Sequence, residues 1–408
     1  MMRKSQDIYI QEMENNIQKK ELNIRDNYEK INLYNKEKNF FQIEDEELFP
    51  YKIDIEPTTR CFLKCRYCQV PYWERNKLAD LSFETFKKIV DSMPYLLEMK
   101  LQGQGEPLLN KELFKMVEYA TNKNILVRFN TNGMLLNGEN RKRIIESGLF
   151  ELRISMDGAT AHTNNLMRQG LDFNRVINNI SLLVKERGGQ QKPLINIWML
   201  LTKNNIDELD SMIDLCAAMG VDGLKIQTKL STRDDIDIEK RVLADTVVVT
   251  NSKIQKIISE AYEKANKAGI EIEIITNKWR TKENPCWWLW NSAYISSDGY
   301  VVPCSIINNP NVFYLNHVDF NTLYEHFVVW EGIIKMLQRE IGINNEIYSN
   351  FIKLENSAIK LRNLSIKFLE EAKAHGSINS HCPPVELDKH HSTVPGQTGR
   401  HYGKAVAC

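Results

Sequence analysis

The chain has 408 residues, and its 53 Lys and Arg balance 53 Asp and Glu, so no net charge argues for a nucleic-acid or membrane-surface partner. It contains no run of about 18 apolar residues, and its start, Met1-Met2-Arg3-Lys4-Ser5-Gln6-Asp7, lacks an apolar signal core, which excludes a transmembrane span and an export signal. Eight cysteines in such a chain point to metal ligation in a reducing cytoplasm rather than to disulfides.

Residues 1–48 carry both charges with much Asn and Gln and no strong apolar face, and read as a helical or partly disordered arm. A strand follows at Lys52-Ile53-Asp54-Ile55-Glu56 and runs straight into Cys61-Phe62-Leu63-Lys64-Cys65-Arg66-Tyr67-Cys68. Three thiolates in this C-x3-C-x2-C spacing can hold three irons of a [4Fe–4S] cube and leave the fourth without a protein ligand. An iron with an open position can bind a small molecule and pass an electron into it. The alternatives are a zinc site, which would want a fourth ligand close by, or inert buried thiols.

Further strands are expected at Met99–Gln102, Leu126–Phe129, Leu152–Ser155, Ile195–Leu200 and Leu224–Gln227, with amphipathic helices between them, such as Phe173 to Lys185 and Ile206 to Met219. Ser82 is a natural N-cap for the helix that starts at Phe83. Repeated βα units with short apolar strands predict an α/β fold, a (β/α)6 partial barrel of TIM type. Functional groups belong after the C-terminal ends of such strands. Cys216, on the apolar face of Ile213 to Met219, reads as packing.

The cysteine loop resembles that of the radical S-adenosylmethionine (radical SAM) superfamily, and residues 50 to 230 follow the family's motif order. The resemblance implies that the open iron binds SAM and that an electron then releases a 5′-deoxyadenosyl radical. It implies SAM contacts at Tyr67, the aromatic before the last cysteine, and at Gly105 and Glu106 of Gly103-Gln104-Gly105-Glu106-Pro107. That stretch is similar to the family's GGEP motif, with Gln104 in place of a glycine. Gly105 would let backbone approach the ligand and Glu106 offer a carboxylate to an ammonium. Asn130 and Asn132 would face the ribose, Ser155 and Arg168 would hold the SAM carboxylate, and Asn205 would be another ribose-side contact. Taken singly, Asn-Gly and Asp-Gly are ordinary turn chemistry.

Farther on, Cys286 and Cys304 flank a stretch that reads as a β-hairpin turning at Asp298-Gly299. Their C-x12-G-x4-C pattern resembles the opening of the SPASM or twitch extension, which implies an auxiliary Fe–S cluster; the alternative is a hairpin with two buried thiols. The later cysteine pair of that extension is missing. Cys382 alone stands near its place, either as a third cluster ligand or as a thiol that quenches a substrate radical. Cys408, a histidine, substrate or nothing would supply the fourth ligand. Asn321 to about Ala374 is expected to be helical, and the Gly- and Pro-rich tail from Gly376 holds half of the histidines, His381, His390, His391 and His401.

The expected domains are thus an arm over 1–48, a radical SAM core over 49–230, a connecting α/β segment over 231–284, and a SPASM/twitch-like extension of hairpin and helices over 285–408. The expected activity is hydrogen abstraction from a C–H bond of a ribosomally made peptide, or of a sugar, aminocyclitol or nucleoside. The 1–48 arm is too short and polar for the leader-binding domain of peptide-modifying relatives. An electron donor such as flavodoxin or ferredoxin is implied. A non-catalytic Fe–S electron carrier is the reading from another class, and it would have no need of a SAM cradle.

Overall fold

The computed structural model describes residues 4–19, 50–72, 78–228, 236–247, 251–275, 292–297 and 301–302. Cys286, Cys304, Cys382, Cys408, the 321–374 region and the histidine-bearing tail lie outside the described residues.

In chain order the elements are α1 (Lys4–Lys19), β1 (Lys52–Ile55), β2 (Lys64–Cys65), α2 (Phe83–Asp91), β3 (Glu98–Leu101), α3 (Leu113–Asn122), β4 (Leu126–Thr131), α4 (Gly138–Glu146), β5 (Glu151–Ser155), α5 (Ala161–Met167), β6 (Arg168–Gln169), α6 (Phe173–Arg187), β7 (Leu194–Leu200), α7 (Leu209–Met219), β8 (Gly223–Gln227), α8 (Ile236–Asp245), α9 (Ser252–Ala268), β9 (Glu271–Ile275), β10 (Ser292–Ile295) and β11 (Val301–Val302). One sheet runs β11-β10-β1-β3-β4-β5-β7-β8-β9. Every ladder from β10 to β9 is parallel, and β11 turns back antiparallel on β10. The six expected strands form its contiguous middle. The structure adds β9 beyond β8, from the 231–284 segment, and β10 beside β1. The two arms of the expected hairpin pair antiparallel, with Tyr294 opposite Val302 and Ile295 opposite Val301, and its turn at Asp298-Gly299 lies outside the described residues.

Local chemistry explains these elements. Ser82 caps α2 by accepting the Thr85 N–H. Asp172 caps α6 by accepting the Arg175 N–H, and Phe173, Val176, Ile180 and Leu183 give that helix one buried stripe. α7 ends at Gly220, whose φ of 70° suits a left-handed cap. Cys216 is fully buried on α7 and packs in the main core, as expected from its apolar face.

The N-terminal arm is helical over Lys4–Lys19, one of its two expected forms, and it is also docked, which its sequence did not suggest. Met13 and Ile17 of α1 are buried against Tyr51, Leu97, Leu126, Phe150 and Leu194, which stand at or next to the starts of β1, β3, β4, β5 and β7. Tyr9 donates to Glu98 at 2.7 Å, and Lys192 to Glu12 at 2.8 Å. α1 therefore lies under the N-terminal ends of the strands. Its apolar stripe is too narrow to stand out among charged neighbours, and only the docking surface gives it a role.

The floor above α1 is ionic. Arg128 pairs with Glu98 at 3.1 Å, Arg153 with Glu151 at 2.8 Å and Lys225 with Glu273 at 2.8 Å. Burial alone would raise the Glu98 carboxyl, but Arg128 and Lys52 outweigh it and hold the group well below the usual carboxylate range.

Candidate active site

The opposite rim, after the C-terminal strand ends, carries the cysteine loop. Backbone pairing fixes this loop more firmly than its sequence suggests. β2 and β6 form a two-residue antiparallel ribbon that sets Cys65 opposite Arg168 and Lys64 opposite Gln169, and the Arg66 N–H donates to the Met167 carbonyl at 2.9 Å. At the root of the loop, Arg60 donates to Asp80 at 2.9 Å and to the Leu109 carbonyl at 2.8 Å. The Arg60 carbonyl accepts the Glu106 N–H at 2.8 Å, which ties the loop to the Gly103–Glu106 turn. Arg66 and Tyr67 both donate to Asp245 at the end of α8, at 2.9 and 2.7 Å. Burial, then the hydrogen bond to Asp245, pushes the Tyr67 hydroxyl up to about 12.

Cys61, Cys65, Tyr67, Cys68, Gly105, Glu106, Asn130, Asn132, Ser155 and Arg168 line one cavity, together with the unforeseen Gln69, Gln102, Gln104, Trp198, Gln227 and Ile238. Asn205 does not line it. Its amide donates to the Asp157 and Leu200 carbonyls at 2.8 and 2.7 Å and accepts the Thr202 N–H at 2.7 Å, so the ribose-side contact expected of it gives way to bracing the turn after β7. Neighbouring Asn204 faces Tyr67 instead, with its amide 3.5 Å from the hydroxyl.

Glu106 also differs from the simple picture of a carboxylate offered to an ammonium. Its oxygens accept the Thr131 hydroxyl at 2.7 Å, the Asn132 N–H at 2.7 Å and the Leu108 N–H at 3.3 Å. The group thus shapes the turn that presents Asn130 and Asn132. Burial raises it to about 6 despite those bonds. A Cβ at Gly105 would run into the Thr58 and Arg60 carbonyl oxygens, so only glycine allows the two loops to touch.

Asp157, in the Asp-Gly turn just after β5, organises the far wall. Arg168 Nε stands 2.9 Å from its Oδ2, and its Oδ1 accepts the Leu200 N–H at 2.7 Å. Trp198 donates to Gln227 at 3.2 Å, and the Arg153 guanidinium lies 4.9 Å from the indole centre, from the ionic floor below.

These residues fit an iron–sulfur cube and SAM. Burial pushes the Cys61 thiol up to about 11 and the Cys65 thiol up to about 12, so both are neutral until a metal supplies positive charge. Among the described residues no three His, Cys, Asp or Glu side chains converge on a single-ion site, and a cube would spread its ligands over three irons. Asn130 Oδ1 and Asn132 Nδ2 are buried with no protein partner, which suits a polar ligand in the cavity.

Comparison with known proteins agrees with this arrangement. Residues 55–216 match the radical SAM superfamily, and residues 286–327 match SPASM, an iron–sulfur cluster-binding domain. The tungsten-containing aldehyde ferredoxin oxidoreductase cofactor-modifying protein of Pyrococcus furiosus is 28% identical over 61% of this chain and 69% of its own length. The PqqA peptide cyclase of Bradyrhizobium diazoefficiens is 21% identical over 69% of this chain and 72% of its own. The fold is similar to that of Streptococcus suis SuiB bound to precursor peptide SuiA, with a TM-score of 0.53 at 16% identity over 70% of this chain and 66% of that one.

The chain belongs to the radical SAM superfamily, and it is a radical SAM enzyme with a SPASM region. That membership brings a [4Fe–4S] cluster, SAM and an auxiliary Fe–S cluster as its cofactors. Among the described residues no helix is long and apolar enough to cross a membrane.

Proposed function

We propose that the protein matures a ribosomally made peptide by abstracting a hydrogen atom from one of its C–H bonds. Cys61, Cys65 and Cys68 would hold the cluster, which when bound would supply the electron for reductive cleavage of SAM. The chain's own part is placement. Arg168, held by Asp157, stands ready for a carboxylate, and Asn130, Asn132 and Ser155 stand ready for polar groups of a nucleoside. Tyr67 closes the loop side through Asp245.

The observation that carries the substrate reading is the rest of the lining. Gln69, Gln227 and the pair Gln102 and Gln104 line the cavity with neutral amides from three segments, together with the indole of Trp198. Amides that both donate and accept match a peptide backbone and suit a phosphorylated or carboxylate metabolite poorly. The peptide cyclase among the relatives and the precursor peptide bound to SuiB support the same class. In this reading 49–230 is the catalytic core, 231–284 connects it, and 285–408 holds the auxiliary cluster through Cys286, Cys304 and Cys382. A flavodoxin- or ferredoxin-like donor reduces the protein in the cytoplasm.

The test uses anaerobically reconstituted, reduced protein with SAM and synthetic peptides encoded by short reading frames beside its gene. Transfer of deuterium from a labelled peptide into 5′-deoxyadenosine is the expected result. The cofactor-modifying relative makes a small molecule the other outcome. SAM cleavage that no peptide accelerates, but that a neutral metabolite does, would overturn the peptide reading.

A further inference from the structure

The carboxylate of Glu56, at the exit of β1, is only 2% exposed and does not line the cavity. Its Oε1 accepts the Gln104 N–H at 2.7 Å, inside the glycine-rich turn of the SAM cavity. Its Oε2 accepts both the N–H and the hydroxyl of Ser297, each at 3.2 Å, just beyond β10. The backbone repeats the link, because the Glu56 N–H donates to the Ile295 carbonyl at 2.8 Å. One face of the turn is moulded on this side chain, since a Cβ at Gly103 would fall on the Glu56 carboxyl itself. Glu56 and Gln104 lie within the radical SAM match and Ser297 within the cluster-binding match, so one buried acid joins the two domains.

We propose that Glu56 is a positioning residue that couples the hairpin of the iron–sulfur cluster-binding domain to the SAM-facing turn Gly103–Gly105. The proposal rests on the SAM-binding reading of the cavity and extends it to a residue outside the cavity. Burial disfavours the charged form of Glu56, and the hydrogen bonds from Gln104 and Ser297 offset part of that cost. Glutamine cannot replace it, because an amide nitrogen facing Ser297 leaves that N–H without an acceptor. The turn then loses its anchor on the hairpin side.

The test measures SAM affinity by equilibrium dialysis and iron per chain on the full, anaerobically reconstituted protein. Glu56→Gln should weaken SAM binding about tenfold, the size expected for leaving a buried N–H without its acceptor, with iron content unchanged. Gly103→Ala should also weaken it, and Glu56→Ala/Gly103→Ala should bind no worse than Glu56→Ala, because the truncated side chain no longer meets the new methyl group. SAM affinity of Glu56→Gln within twofold of wild type, or additive losses in the double variant, would overturn the proposal. If Glu56→Gln does not fold, Ser297→Ala is read in its place: a severalfold loss supports the coupling and no loss overturns it. Wild-type protein that carries its cluster but binds no SAM would overturn the functional reading as well, so the two failures are distinct.

Discussion

Arg168 stands directly opposite Cys65 in the ribbon β2–β6, while its side chain pairs with Asp157 at 2.9 Å. One residue thus ties the cysteine loop to the far wall of the cavity. Asp157→Asn should leave the guanidinium in place but free to turn, and Arg168→Lys should lose the planar fork. Each is expected to weaken SAM binding by roughly tenfold or more, the scale for breaking a buried, hydrogen-bonded charge pair. Equilibrium binding at constant iron content checks this, and unchanged affinity in both variants would contradict the role given to Arg168.

Single Ala substitutions at Cys61, Cys65 and Cys68 should each remove about four irons per chain and abolish 5′-deoxyadenosine release. Cys216→Ala is the control. That thiol is fully buried in the core, so its loss should lower stability by about 1 kcal/mol and leave both iron and product unaltered. Iron analysis and chromatography of the product read both.

Glu106 gives a pH signature. Its carboxyl rises from 4.5 to about 6 on folding, so the folded state favours the protonated form. The stabilisation from that proton is complete below about pH 4.5 and is lost as pH rises through about 6. The stability of wild type relative to Glu106→Gln should therefore fall by about 2 kcal/mol across that window. Urea unfolding at a series of pH values measures it, and a flat difference would mean that the carboxyl is not held as described.

Ile17→Ala should destabilise the chain by about 2 kcal/mol or more through the cavity it leaves under the strand ends. SAM affinity should not change, because α1 lies at the opposite end of the sheet from the cysteine loop. Chemical unfolding and SAM binding, measured on the same sample, separate the two effects.

The barrel strands were legible because each short apolar run sits between amphipathic helices, as at Ile195–Leu200 and Phe173–Lys185. The rim residues were legible because they follow those strands in order. What the sequence hid depends on contacts between distant segments. β2 and β6 are each two residues long and have no pattern of their own until they pair. Asn205 looked like a ligand group because a polar residue at a strand exit can face inward or brace its own turn, and the spacing is the same in both cases. Glu56 looked like the end of a strand, and its partner Ser297 is 241 positions away. Of the lining glutamines, Gln102 and Gln104 share the turn after β3, but Gln69 and Gln227 come from distant segments, so no local motif gathers them all.

β1, which bears the cysteine loop, is flanked on both sides, because β10 pairs with it in register from Lys52–Ser292 to Ile55–Ile295. A chain cut before Ser292 would strip that flank and bare a row of unpaired N–H and C=O groups beside the fully buried Ile53 and Ile55. Such a row is a template for strands of other molecules. Trimming the enzyme back to its core should thus yield self-associating material rather than a smaller working catalyst.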